Sequence, residues 1–355
     1  MKITKIDVWK VVVPTKRGTV NDPEYPDDVL DTFGKAPKHI VRVHTNEGVE
    51  GIGETARFTP RDHVDACVRA LLGKDPTKFD LAAMPHPRNQ AYDCFESAML
   101  DILGKVLGTP VCRLLGGRMR DRVKCDYWTG MRTPKNLARY AAEGQRRGWR
   151  GIKIKCKLEQ PNVERLRAVA KACGTEFKVT VDPNERFYTP AQAIELASRL
   201  HEIGNVEVFE DPTPKVGRVD WYVHMRAKMP VPVAMHLGDP KFLWNALCAG
   251  AMDYLNSSPP SSAAWMEMSH LAHNAGVPCW HGSGVDLGIL EHLYVHRCAA
   301  APNATQASDI FGELVRENDL IKNPILFKDG HALVPPEAGL GCELDLNAIA
   351  KYAVK

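Results

Sequence analysis

The chain has 355 residues, of which 44% are hydrophobic and 25% are charged, as is ordinary for a globular protein that buries a large core. This length predicts two domains or one barrel with additions. A formal net charge of +3 gives no reason to expect nucleic acid or an anionic membrane as a partner.

The N-terminus and the cysteines indicate where the protein works. Residues 1–6 alternate like a strand and lack the apolar run of a signal peptide. The sequence contains no stretch of about 18 apolar residues, so we predict no membrane-spanning helix. The ten cysteines include no C-x-x-C pair, so we interpret them as reduced thiols without a zinc site or a disulfide framework. We therefore predict a cytoplasmic protein.

Residues 1–118 predict an α+β domain. Residues 3–13 alternate as a strand, and residues 39–53 carry the pattern of a hairpin. Between them, residues 14–37 are rich in Gly and Pro, and a loop of that length is often a functional lid. A helix is predicted from apolar residues at helical spacing, namely Tyr92, Phe95, Met99, Ile102 and Val106.

Residues 119–318 have a different pattern, in which short apolar segments alternate with predicted amphipathic helices. The predicted strands are 123–127, 151–157, 177–181, 206–209, 231–235, 254–256, 277–280 and 305–310. Helical patterns lie between them at 134–147, 162–173, 190–203 and 263–274. Eight near-regular repeats of strand and helix are typical of a (β/α)8 barrel. Gly51 and Gly53 lie in the hairpin with no following helix, so they are not a dinucleotide-binding fingerprint.

Residues 319–355 predict a hairpin at 325–330 and a last helix at 346–352. We expect this tail to pack back on the N-terminal domain. The predicted fold class is therefore α/β, a (β/α)8-type TIM-like barrel with an N-terminal α+β capping domain completed by the C-terminal tail.

The ends of the predicted strands carry the candidate catalytic residues, because barrel enzymes keep their chemistry there. The second strand ends with Lys153, Lys155 and Lys157, which alternation places on one side. If they face inward they need anionic partners, since an unpaired buried lysine is costly. The alternative is that they point outward at a helix interface.

Acidic residues end the next two predicted strands. Asp182 ends the third strand, and Glu210 ends the fourth. Two carboxylates that close repel each other unless a cation or a proton lies between them, and hard oxygen ligands suit Mg²⁺ or Mn²⁺. Asp211 can also be interpreted as a cap of the following helix.

His281 ends the seventh predicted strand, directly before a glycine-containing turn. A lone histidine is more often structural, but this position makes it a candidate acid or base. A proton next to a carboxylate becomes removable when a metal and ammonium groups stabilise the enediolate, and a lysine can then be the base. A second acid or base on the opposite face permits racemisation or the departure of a leaving group.

Several motifs in this order resemble the mandelate racemase/muconate lactonizing enzyme branch of the enolase superfamily over nearly the whole chain. They are residues 47–54, 107–110 and 114–117, the K-x-K of Lys153 and Lys155, the D-x-N of Asp182 and Asn184, the E-D-P of residues 210–212, and residues 338–341.

The resemblance implies roles for these residues. Lys155 would be the general base, and Lys153 would hold the substrate carboxylate. Asp182 and Glu210 would bind one Mg²⁺ per subunit. Asn184, Asp211 and Lys157 would support the site or bind substrate. The implied partner is a small carboxylate, and a homo-oligomer is expected.

The chain departs from the family pattern at the fifth and sixth strands. The family takes a third metal carboxylate from the end of strand five, where the register places Leu237. We favour Asp239 as the substitute, with His236 as the alternative. On strand six the position of an aspartate that would pair with His281 falls near Ser258, and no lysine stands there.

These observations favour a metal-assisted dehydratase of acid sugars. The lysines suit an anionic substrate, and a hydroxylated one suits the polar residues of the lid, namely Lys16, Arg17, Asn21, Asp22 and Glu24. The alternatives are a racemase or cycloisomerase of the same superfamily, a metal-poor binder of small acids without turnover, and an unrelated barrel hydrolase, which leaves the K-x-K unexplained.

Overall fold

The computed structural model describes residues 1–354 of the chain. The strands are β1 (Ile3–Val11), β2 (Lys38–Thr45), β3 (Glu50–Glu54), β4 (Arg122–Lys124), β5 (Tyr127–Thr129), β6 (Gly151–Lys155), β7 (Lys178–Asp182), β8 (Val206–Glu210), β9 (Val233–Leu237), β10 (Tyr254–Ser257), β11 (Cys279–His281), β12 (Phe327–Lys328) and β13 (His331–Leu333). The helices are α1 (Arg61–Leu71), α2 (Tyr92–Val106), α3 (Val111–Leu114), α4 (Pro134–Arg146), α5 (Asn162–Cys173), α6 (Pro190–His201), α7 (Val219–Lys228), α8 (Pro240–Ala249), α9 (Ser262–Asn274), α10 (Gly288–Ala300), α11 (Gly312–Val315) and α12 (Leu346–Tyr352).

The barrel is built from β5 to β11, which form one curled parallel sheet in chain order. The predicted eighth strand is reduced to two parallel bridges, from Ala304 to Cys279 and from Ser308 to Cys125. These bridges connect the last strand to the start of the first and close the ring. The predicted TIM-like barrel with an N-terminal cap is confirmed.

The predicted strand at 123–127 was wrong as a single element. Its first half, β4, pairs antiparallel with β13 of the tail, and only β5 joins the barrel. The break follows from the hydrogen bonds, since the Cys125 amide donates to the Gly330 carbonyl at 2.9 Å. The tail occupies one edge of this segment, while the Lys124 carbonyl accepts from the Ser308 amide at 2.8 Å on the other.

The predicted helices after the barrel strands begin within one residue of the observed ones, because helix caps depend on residues close together in the sequence. Thr133, Thr189, Asp239 and Ser261 each accept a hydrogen bond at the side-chain oxygen from an amide three residues ahead. Proline follows three of these caps at the first helical position, where its missing N–H costs nothing. These signals place each helix on the barrel's outer face directly after its strand.

The cap consists of the antiparallel sheet β1–β2–β3 packed on α2. A Cβ at Gly53 would lie 1.9 Å from the Cys94 carbonyl oxygen, and one at Gly51 would lie 2.1 Å from the Ala98 carbonyl oxygen. Only glycine permits this close approach of β3 to α2. The glycine pair therefore serves packing, in agreement with the sequence argument against a nucleotide site.

The tail divides between the two halves of the molecule. Its hairpin, β12–β13, pairs with β4 beside the barrel. Its end returns to the cap, where the Val12 amide donates to the Tyr352 carbonyl at 3.0 Å and the Val354 amide donates to the Lys10 carbonyl at 2.9 Å. The domain bounds 1–118, 119–318 and 319–355 stay a prediction.

All ten cysteines are free, and only Cys248 is exposed. Within residues 1–354, no helix has the length and apolar character needed to cross a bilayer.

Candidate active site

A cavity of about 400 Å³, the lysine cavity, lies where the barrel strands end under the cap loop. It is lined by Val29, Leu30, Phe33, Arg57, Trp128, Lys153, Lys155, Asn184, Arg186, Glu210, His236, Ser283, Val285, Asp309 and Phe311. A second cavity of about 780 Å³, the cap cavity, borders it and shares Val29 and Arg57.

Lys153 faces inward and is almost fully buried. Its Nζ lies 2.7 Å from an Asp309 oxygen, 2.8 Å from a Glu210 oxygen and 3.2 Å from an Asp182 oxygen. Burial alone would lower the pKa of Lys153, but these carboxylates outweigh burial and raise it well above its ordinary value. Lys153 is therefore a fixed cation at the centre of the site, and the outward-facing alternative is wrong for it.

Lys155, one pleat further along β6, reaches the lysine cavity and forms an ion pair with Asp182, its register partner on β7. The Asn184 amide donates to the other Asp182 oxygen at 2.9 Å. Burial alone would raise the pKa of Asp182, but Lys155 and Lys153 outweigh it and hold that pKa well below its ordinary value. Asn184 borders the cavity with φ at +50°.

Lys157 lies beyond the end of β6 and does not border the lysine cavity. Its Nζ is 3.4 Å from a carboxylate oxygen of Asp27, which also pairs with Arg186 at 3.0 Å. Both cations therefore hold the cap loop against the barrel.

Glu210 is a buried carboxyl whose charge the two lysines do not fully compensate. It accepts a hydrogen bond at 2.8 Å from the Asn256 side-chain amide and is fully buried. Burial, and then the neighbouring Asp182, raises the pKa of Glu210 to about 8. A further cation beside Glu210 would favour its ionised form.

The fifth barrel strand, β9, brings His236 and not a carboxylate to the place of the third metal ligand. His236 borders the lysine cavity, with its Nδ1 at 3.9 Å from a Glu210 oxygen and its Nε2 bonded to the Ser258 hydroxyl. Burial lowers the pKa of His236 to about 3, so the imidazole is neutral. Leu237 is buried and does not border the cavity.

The preference for Asp239 as a ligand is not supported by its placement. Asp239 is exposed, and its carboxylate accepts a 2.6 Å hydrogen bond from the Phe242 amide at the start of α8. Its parity matches that of Leu237, but β9 ends before it, so alternation no longer directs the side chain into the barrel.

Asp182 and Glu210 therefore fit a divalent cation in charge and donor type. The end of β9 does not supply the third carboxylate that the family pattern places there. Among residues 1–354, no group of three acidic, histidine or cysteine side chains is arranged to hold a metal. Imidazole is also a softer donor than Mg²⁺ prefers.

Asp211 supports the strand beside the site. Its φ is +41°, its carboxylate accepts from the His236 amide at 3.0 Å, and it pairs with Lys215. Burial raises its pKa to about 6. The helix-cap interpretation of Asp211 is wrong, since α7 begins only at Val219.

His281 is placed apart from the lysines and borders the cap cavity instead. Its Nδ1 contacts the Gly282 carbonyl at 2.6 Å, and its Nε2 faces an Arg297 nitrogen at 3.4 Å. Its ring stacks on Tyr294 with centroids 3.9 Å apart. Burial, and then Arg297, lowers its pKa well below the ordinary value. Both ring nitrogens are therefore engaged, which leaves the predicted catalytic role without support from geometry.

Three residues of the lysine cavity and its surroundings were missed as candidates. Asp309 and Asn256 end the eighth and sixth predicted strands, so the strand-end rule that selected Asp182 also points to them. Arg57 does not end a barrel strand, so this rule does not select it; it lies in the cap segment 55–58, which the family resemblance implies closes over the substrate.

The polar lid residues do not border the lysine cavity. The Asn21 side-chain oxygen accepts from the Met131 amide at 2.9 Å, and Asp22 accepts from the Thr133 amide at 2.7 Å. The loop instead contributes the apolar Leu30 and Phe33 to the cavity wall.

Comparison with known proteins agrees with this architecture. Residues 21–116 match the family model "Mandelate racemase / muconate lactonizing enzyme, N-terminal domain", and residues 136–348 match "Enolase C-terminal domain-like". Muconate cycloisomerase 1 of Pseudomonas putida is 26% identical over 342 residues, covering 88% of this chain and 90% of its own. Arabinonate dehydratase of Saccharolobus solfataricus is 25% identical over 365 residues, covering 92% and 95%.

A solved structure supports the fold. The N-succinyl Arg/Lys racemase from Bacillus cereus superposes with a TM-score of 0.87 at 21% identity, covering 100% of this chain and 99% of the racemase. Members of the matched family generally use Mg²⁺. Since the two family models together span most of its length, this chain belongs to the mandelate racemase/muconate lactonizing enzyme family of the enolase superfamily.

Proposed function

We propose that this protein is an enzyme of the lyase or isomerase type that moves a proton at the carbon next to a substrate carboxylate, through an enediolate. The observation that carries the proposal is the pair Lys153 and Lys155, held by carboxylates at the strand ends of one cavity. Relatives named as a cycloisomerase, a dehydratase and a racemase support this class of enzyme.

Lys155 is the group that exchanges the proton. Both lysines border the cavity, but Lys155 pairs with one carboxylate, Asp182. Lys153 is enclosed by three carboxylates and remains a fixed positive charge beside the reacting end of the substrate. Fixed charge placed where negative charge develops stabilises the enediolate.

The site favours a reaction that needs one acid or base, because His281 has both nitrogens engaged and borders the other cavity. Cycloisomerisation meets this requirement. An oxygen of one carboxylate adds to a carbon–carbon double bond conjugated with the second carboxylate, and the electron pair moves onto that second carboxylate as an enediolate. The Lys155 ammonium then delivers its proton to the α carbon, and a lactone results.

Dehydration of an acid sugar, which the sequence favoured, has less support. The polar lid residues Asn21 and Asp22 are bonded to the barrel backbone, and much of the wall is apolar. Trp128 and Phe311 stack there with centroids 4.7 Å apart. Such a wall suits a substrate with an unsaturated hydrocarbon middle better than one with many hydroxyls.

Asp182 and Glu210 are the residues that would hold a divalent ion, with His236 as a weak third donor. Such an ion, when bound, would favour the ionised form of Glu210 and supply positive charge beside the substrate carboxylate. One Mg²⁺ per subunit and a homo-oligomeric assembly stay predictions.

The test is incorporation of solvent deuterium at the α carbon, by exchange or by lactone formation, measured by NMR across a panel of unsaturated dicarboxylates, α-substituted acids and acid sugars. We expect Lys155→Ala to slow exchange by at least about 100-fold. Lys157→Ala is the matched control, because that lysine lies on the same segment outside the cavity, and it should retain exchange. A lactone formed without loss of water supports the cycloisomerase. Loss of water would support the dehydratase instead, and exchange that survives Lys155→Ala would remove this lysine as the base.

A further inference from the structure

Arg57 is the cation of the lysine cavity that lacks an acidic partner. Lys153 and Lys155 pair with the strand-end carboxylates, and Arg186 pairs with Asp27 at 3.0 Å. Within residues 1–354 the Arg57 guanidinium forms no ion pair and donates no hydrogen bond. It packs on the ring of Phe33, 4.4 Å from Cζ to centroid. Burial lowers the pKa of Arg57, and the charge of Asp286 offsets this effect only in part.

The position of Arg57 is fixed by the cap backbone around it. The Thr55 amide donates to the His39 carbonyl at 2.9 Å, and the Phe58 amide donates to the Pro37 carbonyl at 2.9 Å. Phe33 is buried and packs towards Trp128, with ring centroids 6.3 Å apart. The guanidinium is therefore held on an aromatic face at the border of both cavities.

Asp286, the acidic residue whose charge influences Arg57, forms its ion pair and hydrogen bonds with other residues. Its carboxylate lies 2.6 Å from the Lys38 Nζ and accepts hydrogen bonds from the Gly284 amide at 2.8 Å and the Tyr294 hydroxyl at 3.0 Å. These partners belong to both the cap and the barrel, so Asp286 stabilises the contact between the two domains. The donors of Arg57 remain available to something that enters the cavity.

We propose that Arg57 binds a second carboxylate of the substrate, so that the substrate is a dicarboxylate with one carboxylate at Lys155 and the other at Arg57. The assignment of the reacting end rests on the proposed function. A guanidinium presents two parallel N–H donors that match a carboxylate, and its contact with Phe33 keeps this fork oriented. The apolar wall between the two cationic ends fits the hydrocarbon middle of such an acid.

Binding without turnover tests this subsite. Saturated dicarboxylates from succinate to suberate, and monocarboxylates of the same chain lengths, are titrated calorimetrically into the full-length protein. We expect the best dicarboxylate to bind about tenfold or more tightly than its matched monocarboxylate. Arg57→Met should abolish this preference without changing monocarboxylate affinity, and Arg57→Lys should restore part of it.

Arg61→Met is the matched control, since Arg61 follows on the same cap segment and is paired with Asp65 outside the cavity. It should keep the preference for dicarboxylates. An unchanged preference in Arg57→Met would overturn the proposal. Tighter binding of inorganic phosphate or of an alkylphosphonate than of any dicarboxylate would also overturn it, in favour of a phosphorylated acid.

The two proposals fail separately. If Arg57→Met loses the dicarboxylate preference but no acid exchanges its α proton, the subsite is supported and the proton-transfer function is wrong. If monocarboxylates exchange through Lys155 and Arg57→Met leaves every affinity and KM unchanged, the function is supported and the subsite is wrong.

Discussion

Two neighbouring side chains at the end of β9 face opposite ways, and this decides the donor set of the site. His236 borders the lysine cavity near Glu210, while Leu237 is buried away from it. Register counted along the chain cannot settle which residue faces the ligand, since a slip of one residue exchanges the two faces. In the folded barrel, His236 pairs in register with Asn256, whose amide binds Glu210.

A carboxylate placed at His236 should therefore complete a Mg²⁺ site. We expect His236→Asp to bind Mg²⁺ at least about tenfold more tightly than the unmodified protein, because a third hard oxygen donor joins Asp182 and Glu210. Isothermal titration of metal-stripped protein measures this. Leu237→Asp should give no such gain, and Asp239→Ser, which keeps a helix cap, should leave Mg²⁺ binding unchanged. Equal affinities in His236→Asp and the unmodified protein would contradict this ligand set.

At the scale of elements, the break between β4 and β5 places a carboxylate inside the barrel wall. Asp126 is buried; one of its oxygens accepts from the Thr180 hydroxyl at 3.1 Å, and the other has no hydrogen-bond partner in the described chain. A Cβ at Gly151 would lie 2.8 Å from that second oxygen, so the neighbouring strand must carry glycine here. Burial, and then Glu207, raises the pKa of Asp126 to about 7.

This raised pKa predicts a pH-dependent stability. The native state binds the Asp126 proton more tightly than the unfolded state, so the contribution is fully present below about pH 4 and is lost as pH rises through about 7. The Asp126→Asn variant has no titrating carboxyl at this position, so it does not lose this stability as pH rises. Its free energy of unfolding relative to the unmodified protein should therefore rise by about 2–3 kcal/mol between pH 5 and pH 8. Urea titrations at both pH values measure the difference, and the same difference at both would show that Asp126 is ionised throughout.

At the scale of the whole molecule, buried charges join the cap to the barrel. Arg297 on α10 contacts Asp93 and Glu96 on α2, the latter at 3.1 Å. In the opposite direction, Glu54 on β3 accepts from the Leu287 amide at 2.7 Å and the Leu290 amide at 3.1 Å at the start of α10. These contacts set the cap loop, and with it Arg57, over the strand ends.

Loss of Arg297 should weaken the whole assembly. Arg297→Met leaves the buried Glu96 and the partly exposed Asp93 without their cation, and we expect a loss of about 3 kcal/mol or more in the free energy of unfolding. The control is Arg226→Met, which removes a half-exposed pair with Asp253 and should cost less than about 1 kcal/mol. Urea unfolding of both variants measures the losses, and equal small losses would mean that the Arg297 ion pairs do not stabilise the junction.

Local chemistry explains what the sequence alone determined. Caps such as Thr133 and Thr189 act within one helical turn, so the helix starts at 134 and 190 followed from the chain. The barrel class followed as well, since strand and helix alternate at near-constant spacing. The convergence of Asp182 and Glu210 followed from strand-end position, because parallel strands bring their carboxyl ends to one face. The direction of Lys153 did not, since alternation along one strand allows either face.

Tertiary structure decided the rest, because each remaining question depended on contacts between distant segments. The turn of His236 towards Glu210 depends on β10, the isolation of His281 depends on Arg297, and the split of β4 from β5 depends on a hairpin about 200 residues later. Arg57 owes its place at the site to the cap lying over the barrel. A side chain's sequence neighbours limit its chemistry, but its burial, its partners and therefore its charge are set by residues that only folding brings near.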